Sequence, residues 1–441
     1  MKNSLKISKI ISPFRKKINI EGDKSISIRW ALLASQASGK STSHNLLGSE
    51  DVIDTLNCLK KLGIKIKYSK KSCQIFGQGL NSFNYDKMIS LNAGNSGTLG
   101  RLILGLLIHS KNIIKLKGDE SLSKRDFYRV TEPLEKFGAS FKTNNGKLPL
   151  TIIGTQYPRP INYRENKGSA QCKSSVMFAA LNTKGKTIIK AKKSRNHTEL
   201  LFKYLGVPIK VTKKIGYDLI EINGRREIKP INYKIPSDIS SSAFFIILTI
   251  LSKNSELTIK DVNINPTRTG IIQILKIMGI KIKISNKRSY KGEKIANINV
   301  RSQKNFKAIN CPTKFNSSTI DEFLLIFLLA ARANGVSSFK KISELNQKES
   351  PRLIWGSKIL NKMGIKTILK RDSIKIYGNP NLKIKKKILI KDYLKDHRVF
   401  MTSVVAALSF GGDWEISDKD SIKTSFPSFI RKIRILGAKI R

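Results

Sequence analysis

Seven short stretches interrupt a lysine-rich, alternating background with glycines, hydroxyls, guanidiniums and carboxylates. Four of them have the make-up of anion sites, where backbone amides and charge-assisted hydrogen bonds hold a phosphate or carboxylate. Glu21-Gly22-Asp23-Lys24-Ser25-Ile26-Ser27-Ile28-Arg29 reads as a turn feeding a helix, with Lys24 and Ser25 at the helix start and Arg29 one turn on. That placement suits an anion. Asn92-Ala93-Gly94-Asn95-Ser96-Gly97-Thr98 leads into an apolar helix carrying Arg101, but lacks the Gly-Lys-Ser/Thr ending of a Walker A loop. Ser169-Ala170-Gln171-Cys172-Lys173-Ser174-Ser175 and Ser194-Arg195-Asn196-His197-Thr198-Glu199 are two more hydroxyl-rich helix starts. Taken singly, each also fits a plain capped helix, and capping is the preferred reading of Asp238 beside Ser240, Ser241 and Ser242.

The other three stretches carry acids and bases. Ile320-Asp321-Glu322-Phe323, Lys348-Glu349-Ser350-Pro351-Arg352 and Asp396-His397-Arg398 each open a helix. Capping and surface ion pairing account for any one of them. Three acid–base clusters in one half of the chain, set against anion clusters in the other, describe a cleft between two domains. A cleft crowded with cations calls for an anionic substrate, and its carboxylates are candidates for proton transfer.

The elements that must position these clusters follow from a repeat. An amphipathic helix, a large apolar residue, a glycine and an alternating strand recur six times, with glycines at Gly63, Gly138, Gly206, Gly279, Gly364 and Gly437. The spacing is about 70 to 85 residues, the signature of one supersecondary unit repeated. Val52, Leu56, Leu59 and Leu62 line one face of the first such helix, and Gly63 suits the left-handed position that closes it. Six units in 441 residues divide into two α/β domains of three. The boundary falls between Tyr233 and Ser237, where Pro236 interrupts a strand-like stretch. The first strand, ending near Ile20, is a candidate for pairing with the second half.

The chain carries 83 Lys and Arg against 31 Asp and Glu, a formal charge of +52. Charge alone points to a polyanion. The lysines, however, are spread through strands such as Ile64-Lys65-Ile66-Lys67 and Ile280-Lys281-Ile282-Lys283, as on a solvated sheet face. With no basic tail, zinc spacing or aromatic RNA-binding signature, nucleic acid is not expected as the main partner. Cys58, Cys73, Cys172 and Cys311 stand apart, with neither a CxxC pair nor disulfide-like density, which fits a reducing cytoplasm. Lys6, Lys9, Arg15, Lys16 and Lys17 break up the N-terminus, and no uncharged apolar run reaches membrane-spanning length. A soluble, non-exported protein with no membrane partner is expected.

The motifs GDKSIS with Arg29, NAGNSGT with Arg101, SAQCKS, SRNHTE, IDEF, KESPR and DHR occur in the order found in the EPSP synthases, and the chain resembles that enolpyruvyl transferase family over nearly its whole length. SRNHTE, IDEF and the closing Leu436-Gly437-Ala438-Lys439-Ile440 look more like the bacterial class that includes glyphosate-tolerant members than like the enteric class. The resemblance implies an α/β, two-domain enolpyruvyl transferase fold. It has six βαβαββ repeats, three per domain, with the active site in the interdomain cleft. Domain I, residues 1–22 plus 236–441, is discontinuous; domain II is 23–235. The implied reaction transfers the enolpyruvyl group of phosphoenolpyruvate to the 5-hydroxyl of shikimate 3-phosphate by addition and elimination of phosphate, without metal or organic cofactor. A monomer is implied.

Carried over by motif, Lys24 touches both substrates and assists proton transfer. Ser25, Arg29, Ser169, Ala170, Gln171, Ser194, Asp321 and Lys348 hold shikimate 3-phosphate. Lys24, Asn95, Gly97, Arg125, Gln171, Arg352 and Arg398 hold phosphoenolpyruvate. Asp321 takes the proton of the attacking hydroxyl and Glu349 protonates the methylene carbon. Guanidiniums suit a phosphate and a carboxylate, and two carboxyl groups suit two proton movements. The chain departs from the family at Ile28 (usually His), at Asp126 and Phe127 after Arg125 (usually Pro-Met) and at Pro351 (usually Asp). Thr424 stands in place of a phosphate-binding Lys, with Lys423 adjacent. Gly97 sits where small changes alter glyphosate access, so inhibition by glyphosate is expected. The sister transferase acting on UDP-N-acetylglucosamine uses Lys-Asn where this chain has Lys24-Ser25, and a loop cysteine that none of the four here matches. A non-catalytic polyanion binder on the same scaffold is the reading from a different class.

Overall fold

The structure is a computed structural model that describes residues 3–69, 72–85 and 87–440. The chain divides into two compact units. The split unit comprises Met1–Glu21, Ser237–Arg288 and Lys294–Arg441; the inserted unit comprises Gly22–Pro236 with Ser289–Glu293.

In the inserted unit, three four-stranded sheets share one topology: a parallel pair followed by two antiparallel strands. They run Asn232–Lys234, Ser38–His44, Ser72–Gln78, Lys65–Tyr68; then Met88–Asn92, Ile113–Lys117, Lys147–Ile153, Ser140–Asn144; then Asn162–Glu165, Lys186–Lys192, Tyr217–Asn223, Ile209–Lys213. Each parallel pair needs a crossover, and each is bridged by a helix or closed by one: Lys24–Ser35, Gly97–Leu107 and Ala170–Leu181. These three helices are buried along most of their length, because apolar residues surround them on nearly every side.

The split unit repeats the plan with variations. Arg15–Ile18 pairs in parallel with Glu256–Asn263, so the N-terminal strand completes a sheet whose other members lie more than 200 residues away. Two sheets have three strands among the described residues. In one, residues 307 and 310 make only isolated parallel bridges to Asn334 and Ser338. In the other, Leu5–Ile7 fills an outer position beside Gly411–Ile416. The inner helices are Ile239–Leu251, Phe323–Arg332 and His397–Phe410. Ile246, Ile247, Leu248 and Ile250 are wholly buried, each contributing roughly 1.5–3 kcal/mol of apolar transfer.

The repeat glycines Gly63, Gly138, Gly206, Gly279, Gly364 and Gly437 all have φ between +70° and +108° and close the outer helix of their unit. At Gly63 the reason is doubled: φ is +85°, and a Cβ would lie 2.2 Å from the carbonyl oxygen of Asn84. The alternating Lys/Ile stretches form edge strands, Lys65–Tyr68 and Ile282–Tyr290, where exposed lysine discourages edge-to-edge pairing. No helix among the described residues is long and apolar enough to cross a membrane.

Candidate active site

In the inserted unit the helix starts carry the residues that the sequence marks as candidates for anion binding. Asp23 caps Lys24–Ser35 by accepting from the Ile26 amide at 2.9 Å, which leaves Lys24 and Ser25 in the first turn. Lys24 Nζ lies 2.8 Å from Asp51 Oδ2, at the start of Glu50–Lys61. Arg29, one turn on and buried, donates from Nη1 to the Ser25 carbonyl at 3.1 Å. Ile28, where the family resemblance leads one to look for His, is wholly buried in the core of the unit.

Ser96 caps Gly97–Leu107 through the Leu99 amide, and Asn95 Nδ2 donates to Asp119 Oδ2 at 2.6 Å, so the loop is tied at both ends. Gln171 faces this loop. Its Oε1 accepts from Arg101 Nη1 at 2.5 Å, and its Nε2 donates to Thr98 Oγ1 at 3.1 Å. Arg125 is brought to the same place, since a Cβ on Gly97 would lie 3.0 Å from Arg125 Nη1 and 3.1 Å from Arg101 Nη1. Burial pulls the Arg101 guanidinium down to about 10, with Arg125 and Arg129 adding to the fall, and it still carries its charge at neutral pH. Asp126 turns the chain after Arg125 by accepting from the Tyr128 amide at 2.9 Å.

Ser169 caps Ala170–Leu181 through the Cys172 amide, placing Ala170 and Gln171 in the first turn. The Ser194 hydroxyl is buried and has no hydrogen-bond partner among the described residues. A buried orphan hydroxyl of this kind calls for an outside acceptor or donor.

In the split unit the acid–base residues gather on one guanidinium. Arg352 opens Arg352–Lys362 and is almost wholly buried. Its Nε donates to Asp396 Oδ2 at 2.8 Å, its Nη1 lies 3.4 Å from Asp321 Oδ1, and its Nη2 is hydrogen-bonded to Glu349 Oε2. Burial opposes the Arg352 charge, but Asp396 and Glu349 outweigh it and hold the group firmly cationic. Burial likewise pushes Asp396 up, yet Arg352 prevails and the carboxyl sits below the usual carboxylate range. Asp396 also caps His397–Phe410 and receives the Ser350 hydroxyl at 2.8 Å. Arg398 Nη1 donates to the Asp321 carbonyl at 2.7 Å, and Lys348 directly precedes Glu349. Behind Asp321, burial and the Asp321 charge raise the Glu322 carboxyl, which is hydrogen-bonded to Ser240, itself 2.8 Å from Arg268 Nη2.

Lys24, Ser25, Gly97, Ala170, Gln171, Arg352 and Arg398 therefore lie in the first turn of a helix, whereas Arg29 lies one turn inside its helix and Arg125 and Ser194 lie in the loops before Tyr128–Glu135 and His197–Tyr204. Sequence reasoning missed the partners: Asp51 for Lys24, Asp396 as the anchor of Arg352, and Thr98 with Arg101 for Gln171. Thr424 contacts His397 at 3.4 Å, beside Arg398, whereas Lys423 pairs with Asp420 at 3.0 Å on the exposed side. All four cysteines are buried and none forms a disulfide, and burial pushes the thiols of Cys58 and Cys73 up to about 12, away from the thiolate form. Among the described residues no group of three or more His, Cys, Asp or Glu is arranged to hold a metal ion.

The family described as EPSP synthase (3-phosphoshikimate 1-carboxyvinyltransferase) matches residues 8–433. The chain belongs to the EPSP synthase family. It is 40% identical over 424 residues to the 3-phosphoshikimate 1-carboxyvinyltransferase of Ruthia magnifica subsp. Calyptogena magnifica, covering 96% of this chain and 95% of that protein. It is 36% identical over 439 residues to that of Zymomonas mobilis subsp. mobilis, covering 98% and 96%. Among solved structures, an EPSP synthase from Acinetobacter baumannii matches with a TM-score of 0.88 and 32% identity, over 100% of this chain and 99% of that one. The enolpyruvyl transferase NikO from Streptomyces tendae shares the fold, with a TM-score of 0.76 at 15% identity over 100% and 98%. As a member of the EPSP synthase family, the chain has the expected two-domain enolpyruvyl transferase fold. Its substitutions are locally accommodated. Pro351 stands at the N-cap position of Arg352–Lys362, where its missing N–H costs nothing, and its carbonyl accepts from Trp355 at 3.0 Å.

Proposed function

We infer that the chain transfers the enolpyruvyl group of phosphoenolpyruvate to the 5-hydroxyl of shikimate 3-phosphate, releasing phosphate. The observation that carries the residue roles is the grouping of Asp321 and Glu349 on the single guanidinium of Arg352. Addition needs one group to remove the hydroxyl proton and another to protonate the methylene carbon. Elimination then needs a proton removed from the new methyl as phosphate departs. Two carboxyl groups on one cation, together with Lys24, supply these movements.

Asp321 is the base toward the attacking hydroxyl and Glu349 the acid toward carbon. Lys24, Asn95, Gly97, Arg125, Gln171, Arg352 and Arg398 bind phosphoenolpyruvate. Arg352 already has carboxylate partners, so the substrate carboxylate replaces some of them. Ser25, Arg29, Ser169, Ala170, Gln171, Ser194 and Lys348 bind shikimate 3-phosphate, for which the orphan Ser194 hydroxyl is a ready partner. We place the domain limits at 1–22 plus 236–441 and 23–235, and the enzyme in the cytoplasm as a monomer; family membership and the absence of CxxC pairs support this.

The test is phosphate release with both substrates, with each alone, and with Glu349→Gln. Release that requires both substrates, and that falls at least about a hundredfold in the variant, supports reaction and site together. Folded protein that releases no phosphate but binds nucleic acid in a salt-sensitive way would replace this reading with the polyanion scaffold.

A further inference from the structure

Lys173 and Glu199 form an ion pair inside the inserted unit. Lys173 Nζ lies 2.5 Å from Glu199 Oε1, with the lysine side chain wholly buried and the glutamate 5% exposed. The two residues come from different helices, and each helix start is tied to a segment already singled out. The Lys173 amide donates to the Ser169 carbonyl at 3.1 Å, in the turn of Ala170–Leu181 that also carries Gln171. Glu199 lies in the first turn of His197–Tyr204, where the Leu200 amide donates to the Asn196 carbonyl at 3.1 Å, two residues past the buried Ser194 hydroxyl.

We propose that Lys173 and Glu199 are positioning residues that fix the spacing between the Ser169–Gln171 segment and Ser194 for shikimate 3-phosphate; the inference rests on the reading above that both segments bind that substrate. Stability alone is a poor reason for such a pair. Taking two charges out of water costs about as much as their attraction returns, and apolar side chains of like volume hold two helices together as well or better. What the pair adds is a fixed atom-to-atom distance, whereas apolar cores repack and lose uniqueness before they lose stability. A slip of one helix along the other would change the gap between the two binding segments. Setting that gap before the substrate arrives removes part of the ordering cost of binding.

The experiment is calorimetric titration of shikimate 3-phosphate alone into wild type, Glu199→Gln and the apolar double variant Lys173→Met/Glu199→Leu, with thermal melts and steady-state kinetics on the same proteins. Glu199→Gln leaves a buried ammonium without this counter-charge and is expected to melt lower and to bind more weakly. The double variant is expected to melt within about 3 °C of wild type. Its Kd and KM for shikimate 3-phosphate are nevertheless expected to rise about tenfold, with kcat moved less than about twofold. A role in stability alone would leave affinity untouched in a protein that melts as wild type does. An unchanged Kd in the double variant, a loss of affinity that comes only with a lowered melting temperature, or a double variant that does not fold overturns the positioning role while the enzymatic reading stands. Absence of shikimate 3-phosphate binding by wild type overturns the reading beneath it.

Discussion

Lys24 Nζ and Asp51 Oδ2 are 2.8 Å apart, and the carboxylate is the more buried of the two. The pair fixes the ammonium of a residue proposed to touch both substrates, at a helix start that already favours anions. Asp51→Asn keeps the shape and removes the charge, so Lys24 loses part of its anchor. The KM for phosphoenolpyruvate is expected to rise about fivefold, equivalent to roughly 1 kcal/mol for a partly exposed pair. Steady-state kinetics at neutral pH check this, and an unchanged KM would assign Asp51 a structural role only.

Asp54 stands one turn from Asp51 and against the Gly94 backbone. Burial raises its carboxyl to about 6, with Asp51, Glu50 and Asp119 adding to the rise. A folded value above the unfolded one stabilises the protein below about pH 4, and that contribution is lost as pH rises through about 6. Because the group is half-exposed, the loss is expected to be only about 1 kcal/mol. Asp54→Asn should flatten the dependence of Tm on pH between 4 and 6; a slope equal to wild type counts against the shift.

The Arg352–Asp396 pair runs the other way. Asp396 is held below the ordinary carboxylate range, so its contribution is present above about pH 4 and fades as the pH falls further. Asp396→Asn leaves a buried guanidinium short of charge, at an expected cost of about 3 kcal/mol at pH 7. Urea denaturation at pH 7 and pH 3 checks both size and sign, since the gap to wild type should narrow at the lower pH.

Gly97 has room for little more than hydrogen, because a Cβ would sit 3.0 to 3.1 Å from two flexible guanidinium ends. Gly97→Ala should push Arg125 and Arg101 by a few tenths of an ångström and raise the KM for phosphoenolpyruvate several-fold. Wild type is expected to be inhibited by glyphosate and Gly97→Ala less so. Wild-type activity that persists at high inhibitor with ordinary phosphoenolpyruvate affinity would contradict this.

Two repeat glycines separate backbone strain from collision. At Gly279, φ is +80° with no atom within 4 Å of a Cβ, so Gly279→Ala should cost only the left-handed penalty of about 1–2 kcal/mol. At Gly63 the same strain is joined by overlap with Asn84, and Gly63→Ala should cost clearly more. Equal losses in denaturant midpoints would show that the Asn84 segment moves aside freely.

The repeat, the helix starts and the residue types of both clusters were legible in the sequence, because they depend on short-range rules. A helix needs a cap near its first turn, a left-handed closure selects glycine, and an edge strand tolerates lysine. Ser96, Ser169 and Asp396 cap their own helices within three residues, which is why those positions could be read locally. Which side chain meets which was decided by the tertiary structure. Asp51 reaches Lys24 across 27 residues, Asp396 reaches Arg352 across 44, and Thr198 reaches Arg29 across 169. No spacing rule links such pairs. Each exists because packed helices return distant segments to one place, where a buried cation must find a carboxylate or a hydroxyl.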